Sequence, residues 1–204
     1  MISYLRDPAE IYRRSFATIR AEADLSPLPA PLQDVAVRMI HACGMTDIVG
    51  ELRWSPDFAE RAREALATGA RVVTDARMVA DGIIDPVLRG SGRILCVLDR
   101  APAANGTTRT AAAIDAARDD IAGAVVVIGN APTALFRLLE LIDEGAVPPA
   151  AIIGLPVGFV GAAESKAELA ASPRGVPFLT LLGRRGGSAM AAAAVNALTQ
   201  RAPS

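Results

Sequence analysis

Five short apolar runs recur along the chain, each followed by a turn rich in polar residues or glycine. Their apolar positions are continuous rather than alternating, which is typical of strands that are covered on both faces. We predict strands over residues 71–75, 93–98, 124–128, 151–155 and 177–182. Such runs favour a parallel sheet that lies between two layers of helices.

Alanine-rich segments with helical periodicity separate these runs, and two more precede the first of them. We predict helices over residues 9–23, 32–42, 58–68, 109–118, 131–144, 162–171 and 188–200. Alternation of strands and helices is typical of α/β proteins. The expected fold is therefore a single three-layer α/β/α domain over residues 1–204, with a mainly parallel five-stranded sheet.

The composition excludes a membrane-spanning protein. The chain has 204 residues, 51% of them hydrophobic, and a mean hydropathy of +0.32. No apolar run reaches the ~18 residues that a spanning helix needs, because charged residues interrupt every stretch. The first residues, MISYLRDPAE, lack the basic start and apolar block of a signal peptide. We expect a cytoplasmic protein whose apolar residues fill a core or a subunit interface.

Cysteine, histidine and charge limit the possible partners. Cys43 and Cys96 are too few for a disulfide scaffold, and no cluster has the spacing of zinc ligands, so we expect no metal. The net charge of −1 argues against a nucleic-acid partner. The cations are twenty arginines and one lysine, Lys166. Arginine suits a ligand with several carboxylates, although a genome rich in G and C would give the same bias.

The chain has a single histidine, His41, in the segment RMIHACG at residues 38–44. Histidine is the side chain whose ordinary pKa lies near neutrality, so His41 is the first candidate for proton transfer. The predicted helix stops at Gly44, which places His41 in its last turn. A lone histidine in a helix is more often a packing residue than a catalyst, so both interpretations stay open.

Four predicted helix starts are rich in glycine or hydroxyl groups and directly follow predicted strands, at residues 106–109, 128–133, 156–161 and 183–188. In an open parallel sheet, ligands bind beyond the carboxyl ends of the strands, where helix N-termini offer N–H groups to anions. Ordinary loop capping uses the same residues, but four such starts together favour an anion-binding crevice. The chain has neither a P-loop nor a GxGxxG nucleotide fingerprint after its first strand.

Several blocks together resemble the precorrin-8X methylmutase family, and they span nearly the whole chain. The most specific block is PVGFVGAAESK at residues 156–166. The others, in the order expected for the family, are SFATIRAEAD (15–24), RMIHACG (38–44), DARMVADG (75–82), TRTA (108–111), IGNAPTAL (128–135) and GGSAM (186–190).

The resemblance implies an isomerase of cobalamin biosynthesis that moves a methyl group between adjacent ring carbons of the tetrapyrrole precorrin-8X, giving hydrobyrinic acid. No atoms are gained or lost, so it implies no cofactor and no metal. It implies a homodimer with the active site near the interface, and it assigns the general acid to His41. The implied substrate-binding residues are Ser15, Arg20, Thr108, Arg109, Asn130, Thr133, Ser165, Lys166, Gly187 and Ser188.

Two other functions stay open at this point. A carrier that holds a corrinoid between enzymes would need the same pocket without catalysis, and His41 would then only line it. An enzyme acting on a phosphorylated metabolite would use the same helix starts at the edge of a doubly wound sheet. The sequence also leaves open whether the natural substrate carries cobalt.

Overall fold

The centre of the protein is a six-stranded mixed sheet, seen in a computed structural model that describes Ile2 and residues 4–199. The strands are β1 (Leu52–Trp54), β2 (Val72–Thr74), β3 (Ile94–Cys96), β4 (Val125–Ile128), β5 (Ala151–Gly154) and β6 (Phe178–Leu181). Their order across the sheet is β1-β6-β5-β4-β2-β3. Strands β2 to β6 are parallel, and β1 runs antiparallel to β6.

Strand β1 corrects the prediction of a five-stranded sheet. The five predicted strands are all present, and β1 is a sixth that the hydrophobic pattern misses. It has three residues, with Leu52 buried and Arg53 exposed, and Leu52 lies opposite Leu181 of β6. An edge strand of this length produces no continuous apolar run, so periodicity does not reveal it.

The helices flank the sheet, and the seven predicted ones are confirmed to within two residues at each end, with Gln200 outside the described residues. The α-helices of the described chain are α1 (Pro8–Glu22), α2 (Ala30–Cys43), α3 (Phe58–Ala67), α4 (Arg77–Gly82), α5 (Pro86–Gly90), α6 (Arg109–Ala116), α7 (Arg118–Ile121), α8 (Pro132–Asp143), α9 (Ala162–Ala171) and α10 (Ser188–Thr199). Two 3-10 helices cover Thr46–Glu51 and Val97–Arg100. Helices α4, α5 and α7 were not predicted, because six residues or fewer show no helical period.

Two hydrophobic clusters cover the two faces of the sheet. Successive strand residues point to opposite faces, so Val125 and Val127 lie in one cluster while Val126 and Ile128 lie in the other. Residues of α1 to α5 and α10 belong to the first cluster, and residues of α6 to α9 belong to the second. The predicted three-layer α/β/α architecture is therefore confirmed.

The strand order reverses between β2 and β4. From β2 the chain moves outward to β3 at the sheet edge, then returns past β2 to β4, β5 and β6. The connection after β2 packs on the first face and the connection after β4 packs on the second. A crevice opens where such connections diverge, and open α/β sheets bind their ligands there.

Candidate active site

His41 lies in the last turn of α2, as predicted, and its side chain is exposed. The helix ends because Gly44 adopts a left-handed conformation (φ 70°) and donates its N–H to the Ile40 carbonyl at 2.7 Å. Glycine takes this conformation without steric cost. Gly44 therefore fixes the end of the helix on which the imidazole of His41 lies.

One face of α1 packs against the imidazole of His41. The Ser15 hydroxyl and His41 Nδ1 are 2.8 Å apart. The rings of Tyr12 and Phe16 lie with their centroids 5.4 and 5.3 Å from the centroid of the imidazole. Residues 15 and 16 lie on the same side of the helix as residue 12 because they follow it by three and four positions. Ser15 engages Nδ1, which leaves Nε2 to exchange a proton with a ligand.

Arg20 joins the same two helices. Its guanidinium forms an ion pair with Asp34 of α2, at the surface. This pair and the Ser15–His41 contact together fix α1 against α2. The predicted substrate-binding role of Arg20 stays a prediction, because the contact that the structure shows is made within the chain.

A pocket opens at the reversal between β2 and β4. Its volume is about 500 Å³. Its lining comes from the segments that follow β2, β3 and β4, together with the start of α6, and comprises Ala76, Arg77, Met78, Leu98, Arg109 and Asn130. Two predicted binding residues, Arg109 and Asn130, therefore meet at one site although they lie on different elements. We call this site the switch-point pocket.

Thr108 and Thr133 also meet, 2.7 Å apart between their hydroxyl oxygens. Thr108 caps α6, since its hydroxyl accepts the Ala111 N–H at 3.2 Å. Thr133 lies in the first turn of α8, which begins at Pro132. Two helix N-termini are thus joined by hydroxyl groups beside the switch-point pocket, where they can offer donors to an anion.

Gly187 and Ser188 lie where β6 leads into α10. The N–H of Gly187 donates to the Leu155 carbonyl at 2.8 Å. A side chain at Gly186 has no room, because a Cβ there would lie 2.4 Å from the Leu155 oxygen and 2.5 Å from the Pro156 oxygen. The hydroxyl oxygen of Ser188 is buried without a partner among the described residues. The loops after β5 and β6 are therefore locked together.

Ser165 and Lys166 are completely buried, unlike the other predicted binding residues. The Ser165 hydroxyl donates to the Ala162 carbonyl at 3.3 Å, within α9. The Lys166 ammonium donates to the Arg185 carbonyl in the loop after β6. Burial lowers the pKa of Lys166 to about 8. Both side chains contact the chain itself, so their direct contact with a substrate stays a prediction.

Arg185 ties the loop after β6 to the segment that follows α2. Its guanidinium pairs with Asp47 at 2.8 Å and with Glu51 at 3.0 Å, both in the 3-10 helix behind His41. It also lies 3.8 Å from the Met45 sulfur. The end of the helix that carries His41 therefore borders the carboxyl edge of the sheet.

Sequence reasoning missed Asp75, which follows β2 directly and is completely buried. Its carboxylate accepts three consecutive backbone N–H groups after β4, from Gly129 at 2.8 Å, Asn130 at 2.9 Å and Ala131 at 2.7 Å. Tyr12 was missed as well. The available signals were a carboxylate at the end of an apolar run, and an aromatic residue three positions before Ser15.

Among Ile2 and residues 4–199, no group of three or more His, Cys, Asp and Glu side chains could hold a metal ion. Across the same residues, no helix has both the length and the apolar character to cross a membrane.

A family model described as precorrin-8X methylmutase matches residues 10–201. A precorrin-8X methylmutase of Pseudomonas aeruginosa is 59% identical over 203 residues, covering 97% of this chain and 98% of the relative. One of Sinorhizobium sp. is 52% identical, covering 97% and 96%. The crystal structure of a precorrin-8X methylmutase from Thermus thermophilus matches with a TM-score of 0.84 at 37% identity, covering 94% of each chain.

Proposed function

The chain belongs to the precorrin-8X methylmutase family, and from that premise we propose that it isomerises precorrin-8X to hydrobyrinic acid in cobalamin biosynthesis, with His41 as the general acid. The observation that carries the role of His41 is its contact with Ser15, 2.8 Å from hydroxyl to Nδ1. A single ring nitrogen held by a neighbour leaves the other one oriented for proton transfer.

The proposed reaction needs a proton that moves from His41 to the substrate and later returns to His41. Nε2 of His41 protonates the conjugated macrocycle, which makes the ring carbon beside the methyl-bearing carbon electrophilic. The methyl group then leaves its carbon with the bonding electron pair and bonds to that neighbour. Loss of the proton back to His41 completes an isomerisation in which atoms and charge balance. A positioned general acid contributes ~10²–10⁴-fold to such a step.

The switch-point pocket and the helix starts beside it provide groups for the acidic side chains of the substrate. Arg109 can form a bidentate pair with a carboxylate, and Asn130 can donate a hydrogen bond from its amide. The hydroxyls of Thr108 and Thr133 stand at two helix N-termini, where an anion is favoured. Holding a flat ring by its edges fixes its reacting carbons relative to His41.

Ser165 and Lys166 contribute indirectly in this proposal. Their burial supports a role in shaping the loop after β6, through the bond from Lys166 to the Arg185 carbonyl. Gly187 belongs to that loop and Ser188 begins α10, so in this proposal both shape the edge of the site rather than bind the substrate through a side chain. Arg20 helps to place Ser15, because its ion pair holds α1 against α2.

We also propose a cytoplasmic homodimer. Large apolar side chains are exposed on several segments, among them Ile11 and Tyr12 on α1, and Phe159 and Val160 in the loop after β5, which are 84% and 88% exposed. Exposed apolar groups of this size favour a covered interface. Light scattering should give twice the 21.1 kDa mass of one chain. A mass of one chain at micromolar concentration would contradict the dimer.

The visible spectrum of the protein mixed with precorrin-8X tests the enzyme against the carrier. We expect the wild type to convert the spectrum to that of hydrobyrinic acid. His41→Ala should bind the substrate and leave it unconverted, and added imidazole should restore part of the turnover. Binding without conversion by both proteins would establish a carrier instead. Parallel mixtures with the cobalt-containing substrate show which form the protein prefers.

Thr18→Ala provides the control for this experiment. Thr18 is an exposed residue of α1, one turn after Ser15, and its loss removes a hydroxyl without touching His41. We expect turnover equal to that of the wild type. Failure of all three proteins to bind or convert either tetrapyrrole would refute the proposed function.

A further inference from the structure

The carboxyl ends of β2 and β4 flank the switch-point pocket, and Asp75 is the side chain that connects them. It follows the last residue of β2, and its own N–H donates to the Val127 carbonyl of β4 at 3.3 Å. Its carboxylate reaches across to the three N–H groups with which the chain leaves β4. One residue therefore spans the place where the two connections diverge.

The chemistry of this contact requires a carboxylate. Three consecutive N–H groups converge on one side chain, and an ionised carboxylate has only acceptor oxygens. The three N–H groups need such a partner, because they belong to the turn before α8 and lie outside its hydrogen-bond ladder. Burial raises the pKa of Asp75, and the three hydrogen bonds oppose this by stabilising the charged form.

The turn over residues 129–131, which Asp75 binds, packs closely against the neighbouring helices at Gly129. A Cβ at Gly129 would lie 2.7 Å from a Val79 methyl group, 2.8 Å from the Ala191 Cβ and 3.1 Å from the Ser188 Cα. The next residue, Asn130, is exposed and lines the pocket. The backbone is thus pressed against α4 and α10, and the Asn130 side chain faces the crevice.

We propose that Asp75 is a positioning residue, which fixes the turn over residues 129–131 so that Asn130 and the start of α8 face an acidic side chain of the substrate. The inference rests on the proposed function, since it concerns the same site. Asp75 does not touch the substrate in this proposal. Its carboxylate is buried and accepts the three N–H groups, so the group that this turn presents to the pocket is the side-chain amide of Asn130.

Asp75→Asn tests the inference, because the amide keeps the shape but turns an NH₂ group toward a row of N–H donors. We expect KM for precorrin-8X to rise about tenfold, since small misplacements of binding groups cost that much or more, while kcat falls less. Asn130→Ala should raise KM in the wild type and add little in the Asp75→Asn background, because both changes remove one contact.

The matched control is Asp143→Asn, the same substitution at the opposite end of α8. Asp143 is exposed, and its partner is Arg174, away from the crevice. Its KM should equal that of the wild type. Additive effects of Asp75→Asn and Asn130→Ala, or an unchanged KM in Asp75→Asn, would overturn the inference while leaving the proposed function intact. A wild type that does not convert precorrin-8X would overturn both.

Hydrogen exchange of the wild type supplies a second measurement if Asp75→Asn does not fold. We expect the amides of Gly129, Asn130 and Ala131 to exchange as slowly as those of β4, because a buried carboxylate binds them. The exposed loop at residues 102–107 serves as the internal reference for fast exchange. Exchange of the three amides as fast as that loop would overturn the inference.

Discussion

Lys166 is the only lysine of the chain, and its burial predicts an unusual dependence of stability on pH. Burial lowers its pKa from the ordinary 10.5 to about 8. In the unfolded chain the amine keeps its proton up to about pH 10.5, whereas the folded chain releases it above about pH 8. Within this window the unfolded state binds more protons, so the free energy of unfolding rises with pH.

The size of the effect follows from the two pKa values. A difference between 10.5 and about 8 corresponds to about 3 kcal/mol. Because Lys166 is completely buried, solvent screening does not reduce this figure strongly. Lys166→Met keeps the length of the side chain and removes the titrating group. Between pH 7 and 10.5, the wild type should therefore gain about 3 kcal/mol of stability relative to Lys166→Met.

Urea unfolding at several pH values measures this gain, with the fluorescence of Trp54, the single tryptophan, as the signal. Other groups that titrate in this range, such as Cys43 and Cys96, cancel in the difference between the two proteins. Arg61→Met is the control, since the exposed Arg61 stays charged throughout the window. A stability difference between the wild type and Lys166→Met that does not change with pH would refute the reasoning.

Three further predictions concern the site and the loops around it. Ser15→Ala should lower kcat about tenfold and change KM less, because it removes the partner that orients His41; a kcat equal to that of the wild type and of Thr18→Ala in steady-state kinetics would show that the contact has no role. Gly186→Ala should cost about 1–3 kcal/mol in urea unfolding, because its Cβ collides with two backbone oxygens, whereas Gly90→Ala, in open space, should be neutral. Thr108→Val should lower the free energy of urea unfolding by about 1 kcal/mol, because it removes the hydroxyl that caps α6, and Thr108→Ser should keep the wild-type stability. Equal stability of the Val and Ser variants would rule out the cap.

The hydrophobic pattern was sufficient for most of the fold. Strands such as β4 and β5 are continuous apolar runs because both faces of the sheet are covered, so their positions follow from the sequence. Strand β1 and the short helix α4 could not be predicted the same way. Their positions depend on pairing with β6 or packing on α10, and these partners lie more than a hundred residues away.

The contacts of the site were less predictable than its residues. Ser15 and His41 were both expected to be functional, but nothing in the sequence indicates that α1 and α2 bring them together across 26 positions. The role of Asp75 was not visible either, because its partners are backbone N–H groups, which every residue type but proline provides. The burial of Lys166 could not be predicted for a different reason: charged residues are usually exposed, and its ammonium is bound by the Arg185 carbonyl in the loop after β6, which is distant in sequence.

Helix α1 supplies Ser15, the partner of the proposed acid His41, although this helix contributes little to the core. Of its fifteen residues only Ile19 is buried. Local opening of such an element costs less free energy than unfolding of the sheet. Heating should therefore release Ser15 from His41 while the strands are still folded. Thermal inactivation would then be a reversible event with its own midpoint, reached at a lower temperature than the loss of the far-ultraviolet circular dichroism.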